Sequence, residues 1–213
     1  MTKDTTNYQR ILDQTILSIP EGTRPRLLLH ACCAPCSSYV LEYLSAHFDI
    51  TLFFYNPNIS PESEYRFRFE ELSRLTAEMG LDGVVSLLEG KYDPERFYAL
   101  SRGLEGLPEG GARCAKCYAL RLSETADAAR DGAFDYFTTT LSISPHKNAT
   151  WLNEIGAAES ERVGVPYLFS NFKKKNGYRR SCELSAQYGL YRQDYCGCKF
   201  SKQAAEQRKK TEH

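Results

Sequence analysis

The 213-residue sequence lacks any apolar run near the ~18 residues that suggest a membrane-spanning helix. The first residues, "MTKDTTNYQRILDQ", lack the apolar core of an export signal. The sequence also has no internal repeat and no low-complexity linker. From these absences we expect a cytoplasmic protein without membrane contact. Its 25% charged and 42% hydrophobic residues are ordinary for a soluble globular domain.

The formal net charge is zero, but the charges are unevenly distributed. Residues 1–170 carry 16 Lys+Arg and 23 Asp+Glu, whereas residues 171–213 carry 11 and 4. The final stretch, "KQAAEQRKKTEH", predicts a solvated, frayed tail. In "NFKKKNGYRR", by contrast, basic residues lie between apolar segments, with Phe172 and Tyr178 interleaved. Cations beside aromatic rings can hold an RNA loop, and a basic surface face is the alternative. Predicted RNA contacts are Lys173, Lys174, Lys175, Arg179, Arg180, Tyr191 and Arg192.

Five short apolar runs predict buried strands, and stretches of helical period separate most of them. The alternation predicts an α/β domain with a doubly wound parallel sheet. The predicted strands are Arg26–Ala31, Ile50–Tyr55, Val84–Leu88, Phe134–Thr139 and Pro166–Phe169, and the predicted helices are Ser37–His47, Glu62–Met79, Cys114–Arg130 and Asn148–Glu161.

Ligands of such sheets bind outside the carboxyl ends of the strands. The first strand ends at His30 and Cys32, the second at Asn56, and a later one in "TTTLSISP". We therefore expect these loops to converge at one edge, together with the first cysteines.

Seven of the eight cysteines fall into three close-spaced groups. Clusters of this kind in a reducing compartment are typical of metal or catalytic sites. Seven thiols exceed the four of one tetrahedral zinc and favour an iron–sulfur centre or two metal centres. The groups are Cys32, Cys33 and Cys36; Cys114 and Cys117; and Cys196 and Cys198. Cys182 stands apart and is interpreted as a small buried residue or a spare thiol.

Two other interpretations of the cysteines remain open at this point. Cys33 and Cys36 have the spacing of a thiol–disulfide pair, with Pro35 suited to the first turn of a helix. A structural zinc is the second alternative. Arg113 and Lys116 flank the second group and could offset thiolate charge.

Taken together, these motifs resemble the QueH family of epoxyqueuosine reductases over roughly residues 26–201. The segments that carry the resemblance are "LLLHACCAPC", "FFYNPNISPESEYRFR", "RCAKCYALRL", "TTTLSISPHKN" and "SCELSAQYGLYRQDYCGCKFS". The resemblance implies a PP-loop/HUP-like fold, a [4Fe-4S] cluster and an additional mononuclear iron. It implies reduction of epoxyqueuosine at the wobble position of tRNA to queuosine, the last step of that pathway, with electrons from an unidentified donor.

The resemblance also implies that the seven grouped cysteines are the metal ligands. Family members with Asp in place of Cys36 suggest that this residue binds the lone iron. The cluster would then take Cys114, Cys117, one of Cys32/Cys33 and one of Cys196/Cys198. Candidate catalytic residues are Cys36 together with His30, His146 and Asp194 as proton donors.

The expected division is an N-terminal helical extension (1–25), one metal-binding catalytic domain (26–201) with a helical C-terminal part, and a charged tail (202–213). Three rival functions remain. An ATP-dependent PP-loop enzyme is disfavoured because "HACCAPCSS" has no glycine. A zinc-stabilised RNA-binding module would need only four ligands, and a thiol–disulfide oxidoreductase would work without metal.

Overall fold

The computed structural model describes residues 6–211, so positions 1–5 of the expected extension and 212–213 of the expected tail lie outside the described residues. Among residues 6–211, no helix combines the length and apolarity that crossing a membrane requires. The helices are α1 (Tyr8–Leu17), α2 (Ala34–Leu44), α3 (Glu62–Glu78), α4 (Pro94–Ser101), α5 (Ala112–Asp131), α6 (Ala149–Val163), α7 (Gly177–Gln187) and α8 (Lys199–Thr211); the strands are β1 (Arg26–His30), β2 (Asp49–Phe54), β3 (Val85–Glu89) and β4 (Tyr136–Thr139).

The four strands form one parallel sheet in the order β3-β2-β1-β4. Strand β1 is central. Its side chains alternate between the two faces of the sheet, and they are buried on both. Leu27 and Leu29 pack with Leu41 of α2, whereas Leu28 packs with Leu122 of α5. Helices therefore cover both sides of the sheet, and the predicted α/β architecture is confirmed.

The order of the strands places a topological switch point at the carboxyl end of β1. The chain moves from β1 to β2 and β3 on one side, then returns to β4 on the other side. The crevice outside such a point is the usual ligand site. Helix α2 begins here with Cys33 as its N-cap in extended conformation and Pro35 in its first turn.

The prediction of a fifth strand at Pro166–Phe169 is wrong. This segment makes one isolated parallel bridge, Tyr167 to Phe137. Pro166 has no N–H to donate, and Ser170 N donates to the Asn153 side chain at 2.9 Å, which ends the pairing.

The C-terminal part is helical, as expected, but residues 199–211 are not a frayed tail. They form α8, with Ser201 and Ala205 buried and Lys209 ion-paired to Asp194 at 2.6 Å. The buried small residues dock one face of this helix, and Arg208 follows Ala205 at a spacing that places it on the same face.

Candidate metal centre and active site

Cys32, Cys33 and Cys36 come together at the carboxyl end of β1. Their Sγ atoms all lie within 4.8 Å of one another. Within residues 6–211 this is the one group of three or more metal-ligating side chains at that spacing. The extended Cys33 and the first turn of α2 bring Cys36 back over the strand end. Metal–sulfur bonds of ~2.3 Å would let three such thiols share one ion.

The other two groups lie in the same region on α5 and before α8. Cys114 and Cys117 occupy the first turns of α5, and Gly110 N donates to Cys114 Sγ at 3.3 Å. Cys117 and Cys198 are buried in one cluster with Phe97. Cys196 faces the cavity that Cys32, Cys33 and Cys36 also line. The fold thus collects all three groups from sequence positions more than 160 residues apart.

Gly197 makes the turn between the last two cysteines possible. Its φ of +110° is a conformation that side chains rarely adopt. A Cβ there would lie 3.0 Å from Arg68 Nη1 and 3.1 Å from Ile59 Cγ1. Glycine is therefore favoured at this position for two reasons, the positive φ and the close approach of Arg68.

A cavity of about 190 Å³ opens above the cysteines. It is bounded by α2, by the segment after β4, by α7 and by the approach to α8. Its polar and charged lining residues outside the cysteines include Arg68, Glu109, Arg121, His146, Lys147, Tyr178, Arg192, Gln193, Asp194, Tyr195 and Arg208.

Arg68, Arg121 and Lys147 are three cations in the lining of this cavity, and the sequence analysis did not single out Arg121 or Lys147. Arg68 and Arg121 are each 2% exposed. Arg121 donates to His30 Nε2 at 3.2 Å and to Asn56 Oδ1. Arg68 pairs with Glu64, but no carboxylate of residues 6–211 forms an ion pair with Arg121 or Lys147. Arg121 is buried and Lys147 is half-buried, and charges removed from water need compensation, so these two point to an anionic partner.

The thiols themselves supply that negative charge. Hydrogen bonds from Cys33 and Cys36 hold the pKa of Cys32 well below its usual range, and a hydrogen bond from Cys198 does the same for Cys196. Burial opposes the charge of Lys147, but the thiolates of Cys196 and Cys32 outweigh it and raise its pKa. These shifts favour thiolates at Cys32 and Cys196, with Arg121 and Lys147 nearby.

Arg113, expected to offset thiolate charge, opposes the rise that burial causes in the pKa of Cys114, and it has a structural role as well. It is buried, and its Nη1 donates to the carbonyls of Leu104, Glu105 and Leu107 at 2.7–2.9 Å. The arginine fixes the loop before α5, and Arg121, two turns further along the helix, faces the thiols.

His30 does not reach the cavity, contrary to its expected role as a proton donor. It is fully buried, with Nδ1 2.8 Å from Thr139 Oγ1. Burial, followed by the charge of Arg121, lowers its pKa to about 3. His30 Nε2 lies 3.2 Å from Arg121 Nε and 3.1 Å from the carbonyl oxygen of Tyr55, two contacts that require opposite tautomers of the neutral ring. His30 therefore supports Arg121 and the ends of β1 and β4.

The other two expected proton donors do line the cavity. His146 is exposed, and its backbone N–H donates to Ser144 Oγ at 3.3 Å. Asp194 accepts from Lys209, and this hydrogen bond lowers the pKa of its carboxyl. A carboxylate held ionised has no proton to give, so the geometry favours His146 over Asp194. Glu109, which burial gives a raised pKa, lies in the same lining and was not anticipated.

The predicted basic RNA-binding segment is largely ion-paired within the protein. Lys175 pairs with Asp13 at 2.6 Å, Arg179 with Glu183 at 3.1 Å and Arg180 with Glu42 at 2.6 Å. Lys173 Nζ donates to the carbonyl of Lys147, and Lys174 is exposed. Phe172 is 1% exposed and belongs to the core, so the expected stacking on this ring is wrong.

Tyr191 and Arg192 lie nearer the site. Tyr191 is exposed, as a contact with RNA requires. Arg192 lines the cavity and donates to Ser185 Oγ at 3.0 Å. Cys182 is half-buried on α7 and is a free thiol.

The described residues fit an iron–sulfur centre. Seven thiols converge on one region, and three of them are close enough to share an ion. Arg121 and Lys147, which have no carboxylate partner among the described residues, face these thiols. Thiolate ligands are those that iron–sulfur clusters and zinc require. Cluster thiolates carry negative charge that neutral thiols lack, and Arg121 and Lys147 are placed to compensate it.

Comparison with known proteins agrees with the site. The profile of the family described as "Epoxyqueuosine reductase QueH" matches residues 27–204. The chain is 44% identical over 198 residues to epoxyqueuosine reductase QueH of Streptococcus pyogenes serotype M1, covering 92% of this chain and 78% of the relative. It is 37% identical over 178 residues to the QueH protein of Thermotoga maritima, covering 82% and 89%. With a parallel α/β fold, Cys32, Cys33, Cys36 and Cys196 at one cavity and this similarity over most of its length, the chain belongs to the QueH family of epoxyqueuosine reductases.

Proposed function

We propose that this protein reduces the epoxide of epoxyqueuosine in tRNA to give queuosine, using an iron–sulfur cluster and an adjacent iron held by the seven grouped cysteines. One observation carries the proposal: Cys32, Cys33, Cys36 and Cys196 line a single cavity whose base also holds Arg121 and Lys147. Thiols that could hold a metal therefore lie beside an open cavity, which supports the proposal.

Removal of the epoxide oxygen consumes two electrons and two protons and releases water, leaving an alkene. An iron–sulfur cluster with a neighbouring iron supplies one-electron transfer and a Lewis-acid position. The residues of the protein supply the metal ligands, the charge balance and the shielding from water. Its thiols bind the metals, Arg121 and Lys147 balance the thiolate charge, and apolar packing beneath Cys117 and Cys198 shields the centre from water.

The ligands divide most simply according to distance. Cys32, Cys33 and Cys36 are close enough to hold one iron, which leaves an open fourth position. Cys114, Cys117, Cys196 and Cys198 then provide the four thiolates of a cluster. This division differs from the one suggested by the resemblance, which separates Cys32 from Cys33.

The test is turnover under anaerobic conditions. The protein, reconstituted with iron and sulfide and reduced by dithionite, is incubated with epoxyqueuosine-containing tRNA, and the nucleosides are separated by mass after digestion. We expect loss of one oxygen atom from the modified nucleoside. Activity that survives complete metal removal would instead support a thiol–disulfide oxidoreductase. RNA binding without turnover, in a protein that holds only zinc, would support the RNA-binding module.

A further inference from the structure

Exposed aromatic side chains are confined to one part of the surface. Six large apolar side chains of residues 6–211 are exposed, and the three aromatic ones are Phe67, Tyr178 and Tyr191. Tyr178 lines the cavity. Phe67 and Tyr191 each directly precede a cavity-lining arginine, Arg68 and Arg192. The three exposed leucines are Leu17, Leu88 and Leu107.

The three exposed rings are held in place by contacts within the protein. Phe67 and Tyr191 meet edge to face, with ring centroids 5.3 Å apart at 71°. Tyr191 N donates to Glu71 on α3, the helix that carries Phe67, at 2.6 Å. The Arg192 guanidinium lies 5.7 Å from the centroid of the Tyr178 ring. Rings fixed in advance lose little conformational entropy when a ligand binds.

The charge of the opening favours an anionic partner. Five cationic side chains line the cavity. Arg68 pairs with Glu64, and Arg121 and Lys147 face the thiols, which leaves Arg192 and Arg208 for an anionic partner. Positive charge beside exposed aromatic rings is the chemistry that binds single-stranded nucleic acid, where cations neutralise phosphates and rings stack on bases. The cations are Arg68, Arg121, Lys147, Arg192 and Arg208.

We propose that Phe67, Tyr178 and Tyr191 form a stacking platform for the RNA bases that flank the nucleotide bound in the cavity. The proposal rests on the proposed function and adds to it the protein surface that holds the RNA loop open. Stacking does not distinguish one base from another. The platform would therefore accept different flanking bases, and the cavity would select the modified one.

The first test is RNA affinity of the metal-loaded protein. The probe is an anticodon stem-loop RNA, labelled for fluorescence anisotropy, and the variants are Phe67→Ala and Tyr191→Ala. Each should weaken binding by about 5- to 150-fold, the effect of losing one base–aromatic stack. Phe67→Trp should retain binding and Phe67→Leu should not. Leu88→Ala is the control, because Leu88 is 43% exposed, close to the 45% of Phe67, and lies on β3. Equal affinity of the alanine variants and the control would overturn the proposal.

The second test excludes a docking site for a protein electron donor. With dithionite as reductant no protein donor is needed, and the alanine variants should still show a raised KM for tRNA with kcat nearly unchanged. A defect that occurs only when reduced ferredoxin delivers the electrons, with unchanged RNA affinity, would contradict the platform.

The same assays separate this inference from the proposed function. If the wild-type protein forms no queuosine, the proposed function fails. If it forms queuosine and the Phe67 and Tyr191 variants have wild-type KM and Kd, only the platform fails.

Discussion

Replacement of His30 by Gln tests whether a buried, neutral imidazole stabilises the protein next to the cysteine centre. In the folded protein the ring is fully buried between Thr139 and Arg121, and its pKa is lowered to about 3 from the ordinary 6.5, chiefly by burial. The unfolded chain protonates His30 below pH 6.5, whereas the folded protein keeps it neutral. The stability that this group contributes is therefore present above pH 6.5 and is lost as the pH falls toward 3.

The size of the effect follows from proton linkage. Each pH unit between these two pKa values lowers the free energy of unfolding by about 1.4 kcal/mol. Between pH 7.5 and pH 5 the loss is about 2 kcal/mol. Gln does not titrate, and its Oε1 can accept from Arg121 Nε, so His30→Gln should fold with a constant penalty of about 1–3 kcal/mol for imperfect hydrogen bonds.

Anaerobic urea denaturation of both proteins at pH 7.5 and pH 5 measures this difference. The stability gap between wild type and His30→Gln should narrow by about 2 kcal/mol at the lower pH. The same dependence on pH in both proteins would refute the placement of His30 as a buried neutral ring. If the variant also lost one limb of the pH–rate profile, the role of His30 as a proton donor would be restored.

Two further changes probe the metal ligands and their geometry. Cys36→Ala should keep the visible absorption of the cluster and abolish turnover, because one ligand of the lone iron is removed; Cys182→Ser is its control, and loss of both properties or of neither would overturn the assignment. Gly197→Ala should lower stability by about 1–3 kcal/mol through strain at φ +110° and should reduce iron content by displacing Arg68 and the flanking cysteines. Gly103→Ala, at φ +74° with open space around it, should lower stability without changing iron content.

Much of the fold follows from local sequence pattern. The apolar run before His30 predicts β1, and the helical period after Pro35 predicts α2, because both depend on burial patterns within a short window. The cysteine groups could also be predicted from the sequence, since their spacing is a property of the sequence. Pro166–Phe169 has the same apolar character as a strand, but its pairing ends through a contact with Asn153, which is distant in sequence.

The charges around the site could not be predicted in this way. Arg121 is one of several arginines on an amphipathic helix, and only the packing of α5 against β1 shows that it faces the thiols rather than solvent. Lys147 follows His146 in a loop, and the sequence does not show which of the two side chains faces the cysteines. The basic segment at residues 173–180 drew attention for its charge, yet its partners Asp13 and Glu42 lie on α1 and α2.

The central claim is that the cysteines hold an iron–sulfur cluster and a further iron. The most direct measurement is a visible absorption spectrum of anaerobically purified protein, with iron, zinc and sulfide quantified in the same sample. The account predicts a brown protein that contains sulfide and more iron than one four-iron cluster needs. A colourless protein with one zinc and no sulfide, even after reconstitution with iron and sulfide, would contradict it.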